Sequence, residues 1–308
     1  MARRVTAVAL VCLLGLWPAG PVGAAQAAVP RCPDTAPAAE PPDASRREPA
    51  GRGPGRLPGP RAPEPGQVAS VLAELATRLS GRAAPASVTV PTWVHVLTDG
   101  RRRPPDQAVQ AQVAALNLAY SGRYGGADTG VRFRLDGIQV VRRADWFADP
   151  LGHERPMKAA LRRGGPSTLN LYLAQLRELV LGFSTYPHWY EASPQLDGVV
   201  VDWRSLPGGS LRNFDLGFTA VHEVGHWLGL FHTFENGCAE PGDGITDTPA
   251  ERDPTEGCPQ GKDTCPAPGA DPVHNYMDYG YDRCMTEFTA GQGRRMLEMW
   301  AAYRDVAR

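Results

Sequence analysis

The 308-residue chain has almost no net charge: Lys and Arg number 32, Asp and Glu 33, and the formal balance is −1. With no surplus of positive charge to neutralise phosphates, nothing points to nucleic acid as a partner. Long apolar runs are also missing. After the first twenty residues no segment approaches the roughly 20 apolar residues that a bilayer-spanning helix needs, so no stable membrane association is expected once that first segment is removed. There is no internal repeat, which excludes a solenoid or an array. Cysteine is sparse, six in all, too few for a fold that relies on disulfides in place of a core.

The first segment has the form of an export signal, expected over 1–27. Arg3 and Arg4 precede the apolar run "VTAVALVCLLGLW", and "AQA" at 25–27 offers small residues at a cleavage position. Export implies a secreted, extracellular protein in an oxidising compartment, where remaining cysteines are read first as disulfides. Removal of the signal takes Cys12 with it and leaves five cysteines, an odd number. Residues 28–66 contain eleven prolines among 39 residues, a composition that cannot bury a core. "QVASVLAELATRLSG" (67–81) then places Val68, Val71, Leu72, Leu75 and Leu79 at helical spacing and ends at Gly81. We expect a Pro-rich propeptide with a short helix over 28–85 and one catalytic-sized domain over 86–308.

Within that domain "SVTVPTWVHVLT" (87–98) alternates as a strand does, and "DQAVQAQVAALNLAYSG" (106–122) reads as a helix capped by Asp106. Further strands are expected over 131–141, 167–174 and 197–203. "LVLGFSTYP" (179–187) reads either as an edge strand open to an extended peptide or as a buried strand. The stretch 235–283 is rich in Gly, Pro, Asp and Cys and should be irregular, held by covalent or metal links.

The chemistry concentrates in "TAVHEVGHWLGLFHTF" (219–234). His222 and His226 stand four apart, so on a helix their imidazoles share one face and can grip one ion. Glu223, beside the first ligand, is placed to take a proton from a metal-bound water. Gly229 permits a sharp turn, and the chain can then return His232 to the same ion. Three neutral imidazoles leave the fourth position of a tetrahedral zinc open, which suits a catalytic site. At this composition the short H-E-x-x-H pattern arises by chance in about one such chain in a hundred, and the extended pattern in about two in a hundred thousand. Coincidence is therefore rejected.

The extended motif H-E-x-x-H-x-x-G-x-x-H belongs to the metzincin metallopeptidases, which also carry a downstream methionine turn, here "HNYMDYGYDRCM" with Met277. Together with "GDGITDTP", "NYMDY" and "FTAGQGRRM", the chain resembles the pappalysin family of metzincins, specifically from about 167 to 297. The resemblance implies an α+β, metzincin-like zincin catalytic domain. Its upper subdomain would hold a twisted mixed sheet plus helices, its lower subdomain would be irregular and disulfide-linked, and the substrate cleft would run between them. It implies a zinc endopeptidase acting on polypeptide substrates, with one catalytic Zn2+ on His222, His226 and His232 and with Glu223 as general base. Met277 would form the apolar floor, Tyr279 would reach zinc or the developing oxyanion, and Asp282 would line a pocket favouring Arg or Lys after the scissile bond.

Spacing alone leaves three pairings for Cys238, Cys258, Cys265 and Cys284; the resemblance favours Cys238–Cys265 and Cys258–Cys284. A four-thiolate zinc site is the competing use. Asp243, Asp247 and Thr248 in "GDGITDT" are candidate donors to a structural Ca2+, and calcium sites occur in the resembled family. His95, His153, His188 and His274 are read as structural. Cys32, left over in the leader and preceded by Arg31, is a candidate latency switch: a thiolate on the fourth zinc position would exclude the catalytic water. Two rival readings stay open at this level. One takes Glu251 as the third ligand; the other is a secreted, metal-stabilised binding module without activity.

Overall fold

A computed structural model describes residues 66–177 and 180–305. The signal-like run, the Pro-rich stretch through residue 65 and Cys32 lie outside the described residues.

The first apolar spacing forms helix α1 (Gln67–Arg78), which buries Val68, Val71 and Leu75. A twelve-residue helix is marginal in water by itself. Burial of each of these side chains contributes roughly 1.5–3 kcal/mol, so α1 owes its existence to its partners: Tyr186, Phe231, Met299, Ala302 and Tyr303. The helix that the Pro-rich stretch seemed to own is thus packed into the same body as the rest.

Strand β1 (Val88–Thr98) is followed by helix α2 (Asp106–Tyr120), strand β2 (Val131–Arg142), short helices α3 (Ala144–Ala148) and α4 (Glu154–Leu161), strand β3 (Leu169–Ala174), strand β4 (Gly182–Ser184) and strand β5 (Val199–Asp202). The strands expected over 87–98, 131–141, 167–174 and 197–203 form within two residues of their predicted ends, and β4 occupies the middle three residues of 179–187. Asp106 is the first residue of α2 and makes no side-chain cap; Pro105 occupies the capping position. Among the described residues the strands form one sheet in the order β2-β1-β3-β5-β4. All neighbours are parallel except β4, which runs antiparallel to β5 with Gly182 opposite Val201 and Ser184 opposite Val199.

Both β3 and β5 are buried throughout, as expected of parallel strands covered on two faces. On one face Val94, Leu171, Val199 and Val201 meet Leu116 and Tyr120 of α2 and Val221, Val224 and Trp227 of the next helix, α5 (Phe218–Trp227). On the other face Tyr172, Ala174 and Val200 meet Trp146, Phe147, Met157 and Leu161 from α3 and α4. The alternation of side chains along each strand divides the core in this way.

The two readings of 179–187 turn out to be compatible. Strand β4 is the sheet's edge, with β5 as its neighbour, and its three residues are nonetheless buried. Beyond α5 the chain is irregular until helix α6 (Ala290–Met299), which runs into a π-helical turn over Trp300–Arg304. Thr289 and Gln292 close α6 with a reciprocal capping box. The irregular stretch is tied by disulfides Cys238–Cys265 and Cys258–Cys284, the pairing that the family resemblance implies. Their half-cystines are therefore not available as a four-thiolate metal site.

Candidate active site

Helix α5 is the element on which the site is built, and it carries opposite charges at its two ends. At the N-terminus the Asp282 carboxylate accepts hydrogen bonds from the Leu216 and Phe218 N–H groups, at 2.8 and 3.4 Å. At the C-terminus the buried Arg304 guanidinium lies 3.5 Å from the centre of the Trp227 ring and donates to the Trp227 carbonyl at 2.9 Å. It also reaches both oxygens of Asp197, which accept from the Trp227 indole N–H as well. An acid at the amino end and a cation at the carboxyl end both complement the helix dipole. Gly229 follows at φ +98°, and a Cβ there would meet Met299 at 2.4 Å. The left-handed turn at this glycine brings His232 back to the helix face.

Among the described residues His222, His226 and His232 are the group whose ligand atoms converge as a metal site requires. His226 Nε2 lies 3.1 Å from His222 Nε2 and 3.1 Å from His232 Nε2. The outer nitrogens determine the tautomers. His222 Nδ1 is 2.7 Å from the Tyr276 carbonyl and His226 Nδ1 is 2.8 Å from the Leu230 carbonyl. A carbonyl can only accept, so each Nδ1 carries the proton and each Nε2 turns a lone pair inward. Converging lone pairs repel one another unless a cation lies between them. Imidazole ligands at 2.0–2.1 Å from a tetrahedral zinc stand about 3.3–3.4 Å apart, so the donor set and its spacing fit zinc. Glu251, the rival third ligand, lies elsewhere: it accepts from Thr233, Thr255 and Lys262.

Around this centre the remaining predicted residues take definite places. Tyr279 brings its hydroxyl to 3.2 Å from His232 Nε2. Met277 lies under α5, where a Cβ on Gly225 would come within 2.4 Å of its sulfur; the glycine is what allows that approach. Glu223 is buried, and Gly182 of the edge strand abuts it so closely that a Cβ there would lie 2.6 Å from Glu223 Cγ. Behind His232, Glu235 Oε2 is 3.5 Å from Nδ1, and burial pushes the Glu235 carboxyl up to about 7.

The candidate calcium donors Asp243, Asp247 and Thr248 line one cavity. Asp243 accepts from the Ile245 N–H and the Thr248 hydroxyl, and burial raises its carboxyl to about 7. Asp247 accepts from the Thr289 hydroxyl and the Gly291 N–H at the start of α6. The other four histidines serve structure. His95 pairs with Asn170, His153 with the Asp149 carbonyl, His188 with Gln67 and His274 with the Cys284 carbonyl.

Residues 176–301 match the sequence profile of the peptidase family described as pregnancy-associated plasma protein-A. The extracellular metalloprotease of Arthroderma benhamiae is 43% identical over 228 residues, 71% of this chain and 74% of that protein. Extracellular metalloprotease 1 of Coccidioides posadasii is 42% identical over 71% of this chain and 79% of its own length. The chain belongs to the pappalysin family. Among solved structures, mirolysin in complex with a compound superposes with a TM-score of 0.63 at 26% identity, covering 70% of this chain and 92% of that one. Mature mirolysin of Tannerella forsythia in complex with a cleaved peptide gives 0.59 at 27% identity, covering 68% and 90%. This pappalysin is accordingly an extracellular zinc metalloendopeptidase with an α+β metzincin fold.

Two kinds of residue in the pappalysin site escape sequence reasoning. Tyr186 places its hydroxyl 3.1 Å from His226 Nδ1, and Arg304 and Asp197 clamp the end of α5 from 107 residues apart. None of them stands at a motif spacing. Gly182 was visible only as one glycine in a strand, a weak sign of close backbone approach. Gly182→Ala is expected to displace Glu223 and lower kcat about 10²-fold with zinc content unchanged; a variant with wild-type kcat would refute the packing argument.

Proposed function

We propose that the enzyme hydrolyses internal peptide bonds with Glu223 as proton shuttle and Tyr279 as oxyanion donor. The observation that carries this reading is the convergence of three inward-facing Nε2 atoms with the Tyr279 hydroxyl, beside a buried Glu223. Zinc held by His222, His226 and His232 would supply Lewis acidity, acidifying a water and polarising the scissile carbonyl. Glu223 takes the proton of the attacking water as the C–O bond forms. It then passes a proton to the leaving amine as the C–N bond breaks. The Tyr279 hydroxyl donates to the oxygen on which negative charge develops. An extended substrate adds to the sheet along β4 by main-chain hydrogen bonds, which places its carbonyl next to Glu223 through the Gly182 contact.

A preference for Arg or Lys after the scissile bond rests on Asp282. Its Oδ2 is occupied by the N-terminus of α5, so the same carboxylate would serve both the helix and a basic substrate side chain. The calcium reading rests on Asp243, Asp247 and Thr248, which line one cavity, with the Thr248 hydroxyl already on the Asp243 carboxylate. A buried carboxyl that must ionise near neutrality is the kind of group a bound cation stabilises. The inactive-module alternative is not favoured, since Glu223 and Tyr279 are both held at the metal-binding histidines.

Three measurements test these assignments. Glu223→Gln should keep its zinc and lose about 10²–10⁴ in kcat on a casein substrate; wild-type turnover would exclude Glu223 as the base. In peptide-library cleavage, Asp282→Asn should relax the basic preference while keeping the acceptor on α5, and an unchanged profile would remove Asp282 from the pocket. The third concerns Asp243, whose folded pKa is raised from 3.8 to about 7. Its contribution to stability is fully present below about pH 4 and is lost as pH rises to and through 7. Calcium should therefore raise the melting midpoint at pH 8 but not at pH 5, and Asp243→Asn should remove the response. No calcium effect at pH 8 would end the calcium reading.

A further inference from the structure

We infer that helix α1 belongs to the active enzyme as the back support of its zinc site, and is not shed with the Pro-rich leader. Sequence composition groups α1 with the leader and leaves an exposed connection, Ser80–Gly81 and Ala86–Ser87, as the natural place for a maturation cut. The packing of α1 argues the reverse. Its buried residues Val68, Val71 and Leu75 share one apolar cluster with Tyr186 and Phe231. Phe231 immediately precedes His232, and the Tyr186 ring stacks on Phe231 with centroids 5.3 Å apart. The Tyr186 hydroxyl in turn lies 3.1 Å from His226 Nδ1. Two of the three metal-binding histidines are thus braced from behind by side chains that α1 covers.

Polar contacts hold the helix at both ends of the same surface. Gln67 Nε2 is 3.3 Å from His188 Nε2, and Arg78 donates to both oxygens of Glu191 at 2.8 and 2.9 Å. Arg78 also lies over the Tyr303 ring, 4.5 Å from its centre. All these partners come from the segment leaving β4 or from the end of the chain. On the far side Leu72 and Val68 abut Gly244, where a Cβ would approach them to 3.1 and 3.3 Å. Helix α1 therefore joins the exit of the edge strand to the irregular lower region. Its loss would expose Tyr186 and Phe231 to water and release the second contact on His226 Nδ1, beside the Leu230 carbonyl. Outer-shell partners of this kind alter metal affinity about 10–100-fold. Tyr186 is a positioning residue: it acts through His226 and not on substrate.

The experiment uses the full chain with a recognition sequence for a site-specific endoprotease placed over 82–86. After the cut, the fragment carrying α1 should comigrate with the catalytic body on gel filtration and appear with it by native mass spectrometry. If the fragment is instead driven off by dilution, the remaining body should release zinc to a chelator at least tenfold faster and lose activity in parallel. Either result supports the inference. A body without α1 that keeps zinc and activity at the uncut level overturns it. The route through Tyr186 is read separately in the uncut enzyme, where Tyr186→Phe keeps the ring and removes the hydroxyl, and Leu75→Ala loosens the helix. Both should speed zinc release about tenfold or more, and release at the wild-type rate in both overturns that route. The inference rests on the zinc reading of the three histidines, and zinc content of the uncut wild type checks that reading independently.

Discussion

Three imidazole Nε2 atoms brought to one place, 3.1 Å apart along two edges, are the constraint on which the structure depends. Such an arrangement is unfavourable in an unsupported chain, because like partial charges are brought together in a buried place. It persists because each ring is held from outside. The carbonyls of Tyr276 and Leu230 set two tautomers, and Tyr186 adds a second contact to His226. The metal, when bound, converts the same convergence from a cost into the strongest local interaction.

Most of the architecture can be understood as what keeps those outer contacts in place. Helix α5 supplies two of the histidines and Glu223, and its ends are clamped by Asp282 and by Arg304 with Asp197. The Tyr276 carbonyl and the Met277 sulfur come from the irregular lower region. That region has few regular hydrogen bonds of its own and depends on two disulfides. Lys262 adds a further tie by joining Glu251 to Asp271. Glu251 in turn accepts from Thr233, next to His232. Glycine appears wherever two parts must approach closely: Gly182 against Glu223, Gly225 against Met277 and Gly229 against Met299.

The edge strand links the fold to its use. A short antiparallel strand at the end of a parallel sheet leaves main-chain groups beside the zinc-binding helix. Gly182 ties the position of that strand to the position of Glu223. The segment leaving the strand carries Tyr186 to His226 and His188 and Glu191 to α1. One stretch of about ten residues thus connects the surface proposed to align substrate, the proposed base and the helix behind the metal.

Local patterns alone determined much of this protein. The spacing in "HEVGHWLGLFH" singled out the three histidines that converge, because helical periodicity and one glycine turn suffice to bring them to a point. Alternation and apolar runs located the strands and α1, since side-chain direction in regular elements follows from position along the chain. Tertiary structure decided what no local period encodes. It engaged Asp247 at the start of α6, put the carboxylate of Asp282 on α5, and drew Arg304 and Tyr186 to a helix far away in sequence. It also packed α1 against Tyr186, Phe231 and Met299 although composition placed it beside the leader. An amphipathic pattern says that a helix must bury one face; which surface receives that face depends on long-range packing, which only the folded chain specifies.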